Sequence, residues 1–118
     1  MFSRTKIQAV VCGWVVAGLL SASISAGAQT RDRIRIPVGR GVCGTAVATG
    51  QDQNVPDVRA IDNYIACNTW TRSELVVLIR RGSTILGQID VDSDVPDPFS
   101  PAEAAAVRKV ADALAVLL

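Results

Sequence analysis

The chain has 118 residues, 49% of them hydrophobic, which is one domain's length with enough apolar surface for a core. Its 12 basic and 11 acidic residues leave a net charge of +1, so composition gives no footprint for nucleic acid or another polyanion. It contains no histidine, which removes Ser-His-Asp triads, Cys-His dyads and most zinc sites, leaving chemistry to cysteine, carboxylates, tyrosine, lysine, arginine and the backbone.

The opening MFSRTKIQAVVCGWVVAGLLSASISAGAQT differs in character from the rest of the chain. Arg4 and Lys6 precede an apolar run from Ile7 to Leu20, and small residues end at Ala26-Gly27-Ala28. This is the three-part form of a secretory signal, with a cut before Gln29. The run falls short of the roughly 20 apolar residues a membrane span needs, and a buried core helix is the alternative. Residues 1–30 are therefore expected as a separate apolar segment and residues 31–118 as the globular part.

In RIRIPVG, Ile34 and Ile36 should share one side of a short strand ending at Pro37. Gly39 and Gly41 allow a tight turn, and VCGTAVATG reads as a short helix stopped by Gly50. QNVPD suits an edge strand, since Pro56 cannot donate to a ladder, and VRAIDNYIAC suits a loop with one helical turn.

The clearest hairpin runs from Leu75–Ile79 through Gly82-Ser83 to Thr84–Asp92. The final helix has Ser100 as N-cap, Pro101 in its first turn and Glu103 closing a capping box. Val107, Val110, Ala111, Leu114 and Leu118 form its expected apolar stripe, with Arg108, Lys109 and Asp112 outside. The class is α+β, helix on antiparallel sheet.

The three cysteines are Cys12, Cys43 and Cys67, with no C-x-x-C pair, and an odd count is a poor disulfide framework. Simple packing is the default for such cysteines. Asp90 and Asp92, two apart on a strand, share a face about 7 Å apart, together with Gln88. The hairpin brings Glu74 to the same open end. Three converging carboxylates raise one another's proton affinity, which suits proton donation or capture of an ammonium. A solvated strand end is the plain alternative. A calcium loop is rejected, because in DVDSDVPD Val95 stands where glycine is required and Pro101 where the bidentate glutamate belongs. TRSE at 71–74 also fits a capping box, but the run after it alternates like a strand.

GRGVCGTAVATG, VPDV, IACNTWTRSELVV and LGQIDVDS occur in this order and resemble the GAF-fold free methionine-(R)-sulfoxide reductases, from about Ile34 to Leu118. The resemblance implies a GAF-like antiparallel sheet with helices packed on it, lacking the usual N-terminal part. It implies that Cys67 and Cys43 are a redox pair and that Glu74, Asp90 and Asp92 bind substrate. Cys67 would attack the sulfoxide sulfur, become a sulfenic acid, and condense with Cys43 to a disulfide that a thioredoxin-like dithiol resets, the two cysteine roles being interchangeable. No cofactor and no metal are expected, and the oligomeric state is left open, a homodimer being one alternative. Arg33 replaces a third family cysteine, Tyr64 and Asn68 replace a histidine and an aspartate, and Trp14 does not restore the missing aromatics of the front half. A degenerate GAF module that binds a ligand or dimerises without turnover is the rival reading. A cytoplasmic location is expected, export being the alternative if residues 1–28 are a signal.

Overall fold

The computed structural model describes residues 36–66 and 69–118, together with the backbone of residues 5–10. Its elements in chain order are strand β1 (Thr5–Val10), helix α1 (Gly41–Thr49) and strand β2 (Gln53–Val55), then a 3-10 turn (Val58–Ala60), strands β3 (Ser73–Arg81) and β4 (Thr84–Ser93), and helix α2 (Pro101–Leu117). The strands form one antiparallel sheet in the order β1-β4-β3-β2. The architecture is the α+β class expected from the sequence. β1 lies within the residues that the sequence set apart as an apolar segment, and it runs along β4 from Thr5 opposite Ser93 to Val10 opposite Gln88.

The near-continuous apolar run of β3 has a direct cause, because the sheet is covered on both faces. On one face Leu75, Val77, Ile79, Ile89 and Val91 pack with Ala111 and Ala115 of α2. On the other, Val76 and Leu78 pack with Val42, Cys43 and Ala46 of α1, joined by Val55 and Val58. A strand buried on both faces loses the alternation that marks a half-exposed one. The hairpin turns at Gly82, whose φ of 59° lies in the left-handed region, and a bulge at Ile79/Arg80 shifts the register before it.

α2 carries the predicted capping box: Ser100 Oγ accepts from the Glu103 amide at 3.2 Å and Glu103 Oε2 from the Ser100 amide at 2.7 Å. Its buried stripe differs from the expected one. Val107 and Leu114 are half-buried and Ala111 is buried, but Val110 and Leu118 are 54% and 51% exposed, and Ala104 and Ala115 take their place. Alanines let the helix lie close to the sheet, which narrows the covered stripe. Arg108 is also not outside; its guanidinium reaches Asp52 and the Leu78 carbonyl.

The expected strand around Ile34 and Ile36 lies mostly outside the described residues. Ile36 and Pro37 themselves are irregular, and Ile36 packs half-buried against the α1 cluster. Among the described residues no helix is long and apolar enough to cross a membrane.

Candidate functional site

The site starts from the β3–β4 register, in which Glu74 is the partner of Asp92 and Val76 the partner of Asp90. Gln88, Asp90 and Asp92 therefore share one face, as their spacing predicted, and the register puts Glu74 on that face too. What spacing does not reveal is that α1 lies over this face. Its N-terminus is fixed by the turn before it. The Arg40 amide donates to the Pro37 carbonyl at 3.1 Å, and the Gly44 amide to the Arg40 carbonyl at 3.0 Å. Gly44 is required by contact, since a Cβ there would sit 2.4 Å from the Pro37 oxygen. Gly41 adopts φ 62°, and Gly50 ends the helix at φ 67°.

Cys43, in the first turn of α1, is thereby pressed onto the acids. Its Sγ lies 3.6 Å from Asp90 Oδ2 and 3.8 Å from Glu74 Oε1, hydrogen-bonded to both carboxylates. Cys43, Glu74, Asp90 and Asp92 are between 6% and 8% exposed, so the acids are no solvated strand end. Burial, then repulsion from Asp90 and Asp92, pushes the Glu74 carboxyl up to about 8, with the Cys43 hydrogen bond pulling the other way. Burial, then Asp92, pushes Asp90 up to about 7. Two acids that hold protons near neutrality can donate them. Once ionised, they can hold a cation.

Cys67, one half of the expected redox pair, and Asn68 lie outside the described residues. The chain leading to them is described. The Asn63 carbonyl accepts from the Gly41 amide at 3.1 Å and its Nδ2 donates to the Gly39 carbonyl at 3.2 Å, while Ile65 packs against Gly41. Residues 63–65 are thus tied to the turn that places Cys43. Sequence reasoning missed these contacts; their trace in the sequence is the pair of glycines, which signals close backbone approach without naming the partner. Tyr64 packs half-buried against the Cys43 cluster, and Trp70 is half-buried.

With both cores and the acid-thiol cluster in view, the sequence matches the GAF domain over residues 5–118. The chain belongs to the GAF domain family. This GAF domain is 43% identical over 77 residues to the free methionine-R-sulfoxide reductase of Escherichia coli, covering 65% of this chain and 47% of that protein. The type II free methionine-R-sulfoxide reductase from Thermoplasma acidophilum matches its structure with a TM-score of 0.68 at 37% identity, over 73% of this chain and 61% of that one. The enzyme from Neisseria meningitidis, solved in complex with its substrate, gives a TM-score of 0.65 at 38% identity, over 69% of this chain and 48% of that one. The chain spans about half the length of the curated relatives it matches.

Proposed function

We propose that the protein reduces free methionine-(R)-sulfoxide to methionine by thiol chemistry. The observation that carries this is the contact of Cys43 Sγ with Glu74 and Asp90 on a buried face, in a chain similar to reductases of that substrate. A ligand-binding module has no need of a thiol hydrogen-bonded to two acids.

In this reading the Cys67 thiolate attacks the sulfoxide sulfur while a protonated carboxyl of the cluster hydrogen-bonds and protonates the oxygen. The substrate S–O bond breaks as the protonated oxygen passes to the Cys67 sulfur, so methionine departs reduced by two electrons and Cys67, oxidised by the same two, is left as a sulfenic acid. The Cys43 thiol then condenses with the sulfenic acid, releasing water and forming a disulfide. A thioredoxin-like dithiol reduces that disulfide, which fits a reducing, cytoplasmic setting. Glu74, with its carboxyl raised to about 8, suits the proton donor. Asp90 and Asp92, beside it, suit the substrate ammonium.

The ammonium argument sets the substrate class. A peptide-bound methionine has an uncharged amide where the free amino acid has its ammonium, and buried carboxylates left without a cation are costly. The test measures methionine release from free methionine-(R)-sulfoxide, and turnover of its N-acetylated, C-amidated form, with a dithiol present. Turnover of the free form with little of the blocked one is expected. Equal rates would overturn the ammonium role, and ligand binding without any turnover would favour the degenerate module.

A further inference from the structure

We propose that Cys43 Sγ, Glu74 Oε1 and Asp90 Oδ2 form a zinc-binding site. One donor atom from each lies within 4.8 Å of the others, and all three residues are buried. In a tetrahedral zinc site, Zn–S of about 2.3 Å and Zn–O of about 2.0–2.2 Å place sulfur and oxygen about 3.5 Å apart. The observed separations are 3.6 and 3.8 Å. Only small side-chain movements are needed to close around an ion.

A second observation points the same way. Asp90 Oδ1 is buried with no hydrogen-bond partner among the described residues, so the carboxylate keeps an unused acceptor beside the thiol. Gln88, 5% exposed and on the same face of β4 two residues away, likewise has a buried Oε1 with no partner among them. Buried oxygen acceptors without donors are rare in folded proteins and call for an explanation. A zinc ion drawing the Asp90 carboxylate supplies one for the acceptor beside the thiol.

The donor set also selects the ion. A thiolate with two carboxylates is too soft for magnesium or calcium, which take oxygen ligands in larger number, and suits zinc. The missing histidine removes a common zinc ligand but not this combination. On binding, the protons held by the thiol and carboxyls pass to solvent, and two positive charges meet a site otherwise built of acids. Zinc would also occupy the groups assigned above to the sulfoxide and so inhibit; that consequence, unlike the site, rests on the reductase reading.

The test titrates Zn2+ into the reduced full-length chain against a chromophoric chelator, then records the Co2+ spectrum. One zinc per chain and a thiolate-to-cobalt charge-transfer band are expected. Cys43→Ser and the isosteric Asp90→Asn should each weaken zinc by at least about a hundredfold, since even groups behind the ligands change metal affinity 10–100-fold. Cys67→Ser and Cys12→Ser should keep both zinc and the band. Zinc affinity unchanged in Cys43→Ser and Asp90→Asn, or a band lost in Cys67→Ser and retained in Cys43→Ser, overturns the site. Zinc bound as expected by a chain that reduces no sulfoxide would leave the site standing and remove only the reductase reading.

Discussion

Glu74 and Asp92 stand directly opposite each other across two strands, where like charges normally weaken a sheet. The fold tolerates them because protons replace charge. Glu74 and Asp90 titrate near 8 and 7 in the native state, against ordinary values of 4.5 and 3.8. Between those limits the native state binds more protons than the unfolded chain, so stability falls as pH rises from about 4 to about 8, then levels off. Urea unfolding in metal-free buffer should show this slope, and Glu74→Gln should flatten it, leaving the variant more stable than the parent at pH 9 but not at pH 4. An unchanged slope would mean the acids are solvated. The same substitution, with Asp90→Asn and Asp92→Asn, should cut sulfoxide reduction at least about tenfold, the scale of one positioned acid-base group. Stability gained and activity lost in one variant would mark these acids as functional rather than structural. Their shared face was legible from the i, i+2 spacing. Their burial was not, because it depends on α1, a nonlocal partner that no pattern within β4 announces.

Each helix depends on a feature at its N-terminal end, and the two features read differently from sequence. In α2 the Ser100–Glu103 box is local chemistry, so it was visible in the residues themselves. The buried stripe of α2 was less so: several apolar positions compete for the sheet, and the crossing of helix over strands chose Ala104 and Ala115 over Val110 and Leu118. In α1 the glycines announce a tight turn, but only the fold shows Gly44 against the Pro37 carbonyl. Gly44→Ala should therefore cost about 1–3 kcal/mol, the usual range for overpacking, although alanine is the better helix former. Ser100→Ala should cost about 1 kcal/mol, as loss of a cap does. Chemical denaturation measures both. Reduction should fall for Gly44→Ala alone, because the clash lies one residue from Cys43. Equal activity in the two variants would show that the α1 turn does not position the thiol.

At the scale of the whole molecule the question is how a sheet with short β2 closes its edge while carrying a helix on each face. β2 pairs with β3 only from Val55 opposite Glu74 to Gln53 opposite Val76, so β2 stops short of Leu78. Side chains complete the ladder. Asp52 Oδ1 accepts from the Leu78 amide at 2.9 Å, and Arg108 of α2 donates to the Leu78 carbonyl. The same guanidinium holds both oxygens of Asp52 at 3.0 Å and Asp112 at 3.1 Å. One arginine thus joins α2 to the α1–β2 connection across the sheet edge. The surface Arg108 presents to solvent is small, with side-chain exposure of 24% against 31% for Asp52, so this is no ordinary surface ion pair. Helical periodicity put Arg108 on the outer face because it counts angles around one axis and cannot see a neighbouring carbonyl left without a strand. Arg108→Met keeps the aliphatic stem and removes every donor, leaving the Leu78 carbonyl and the Asp52 carboxylate short of partners. A loss of about 1.5–3 kcal/mol is expected, the range for hydrogen bonds to charged groups. Asp52→Asn should be milder, and the double variant should cost less than the sum, since both sever one network. Urea midpoints with unchanged m-values would measure all three. A loss below about 0.5 kcal/mol for Arg108→Met, the level of an ordinary surface substitution, would show that the edge is closed by water and that α2 is held by its alanine stripe alone.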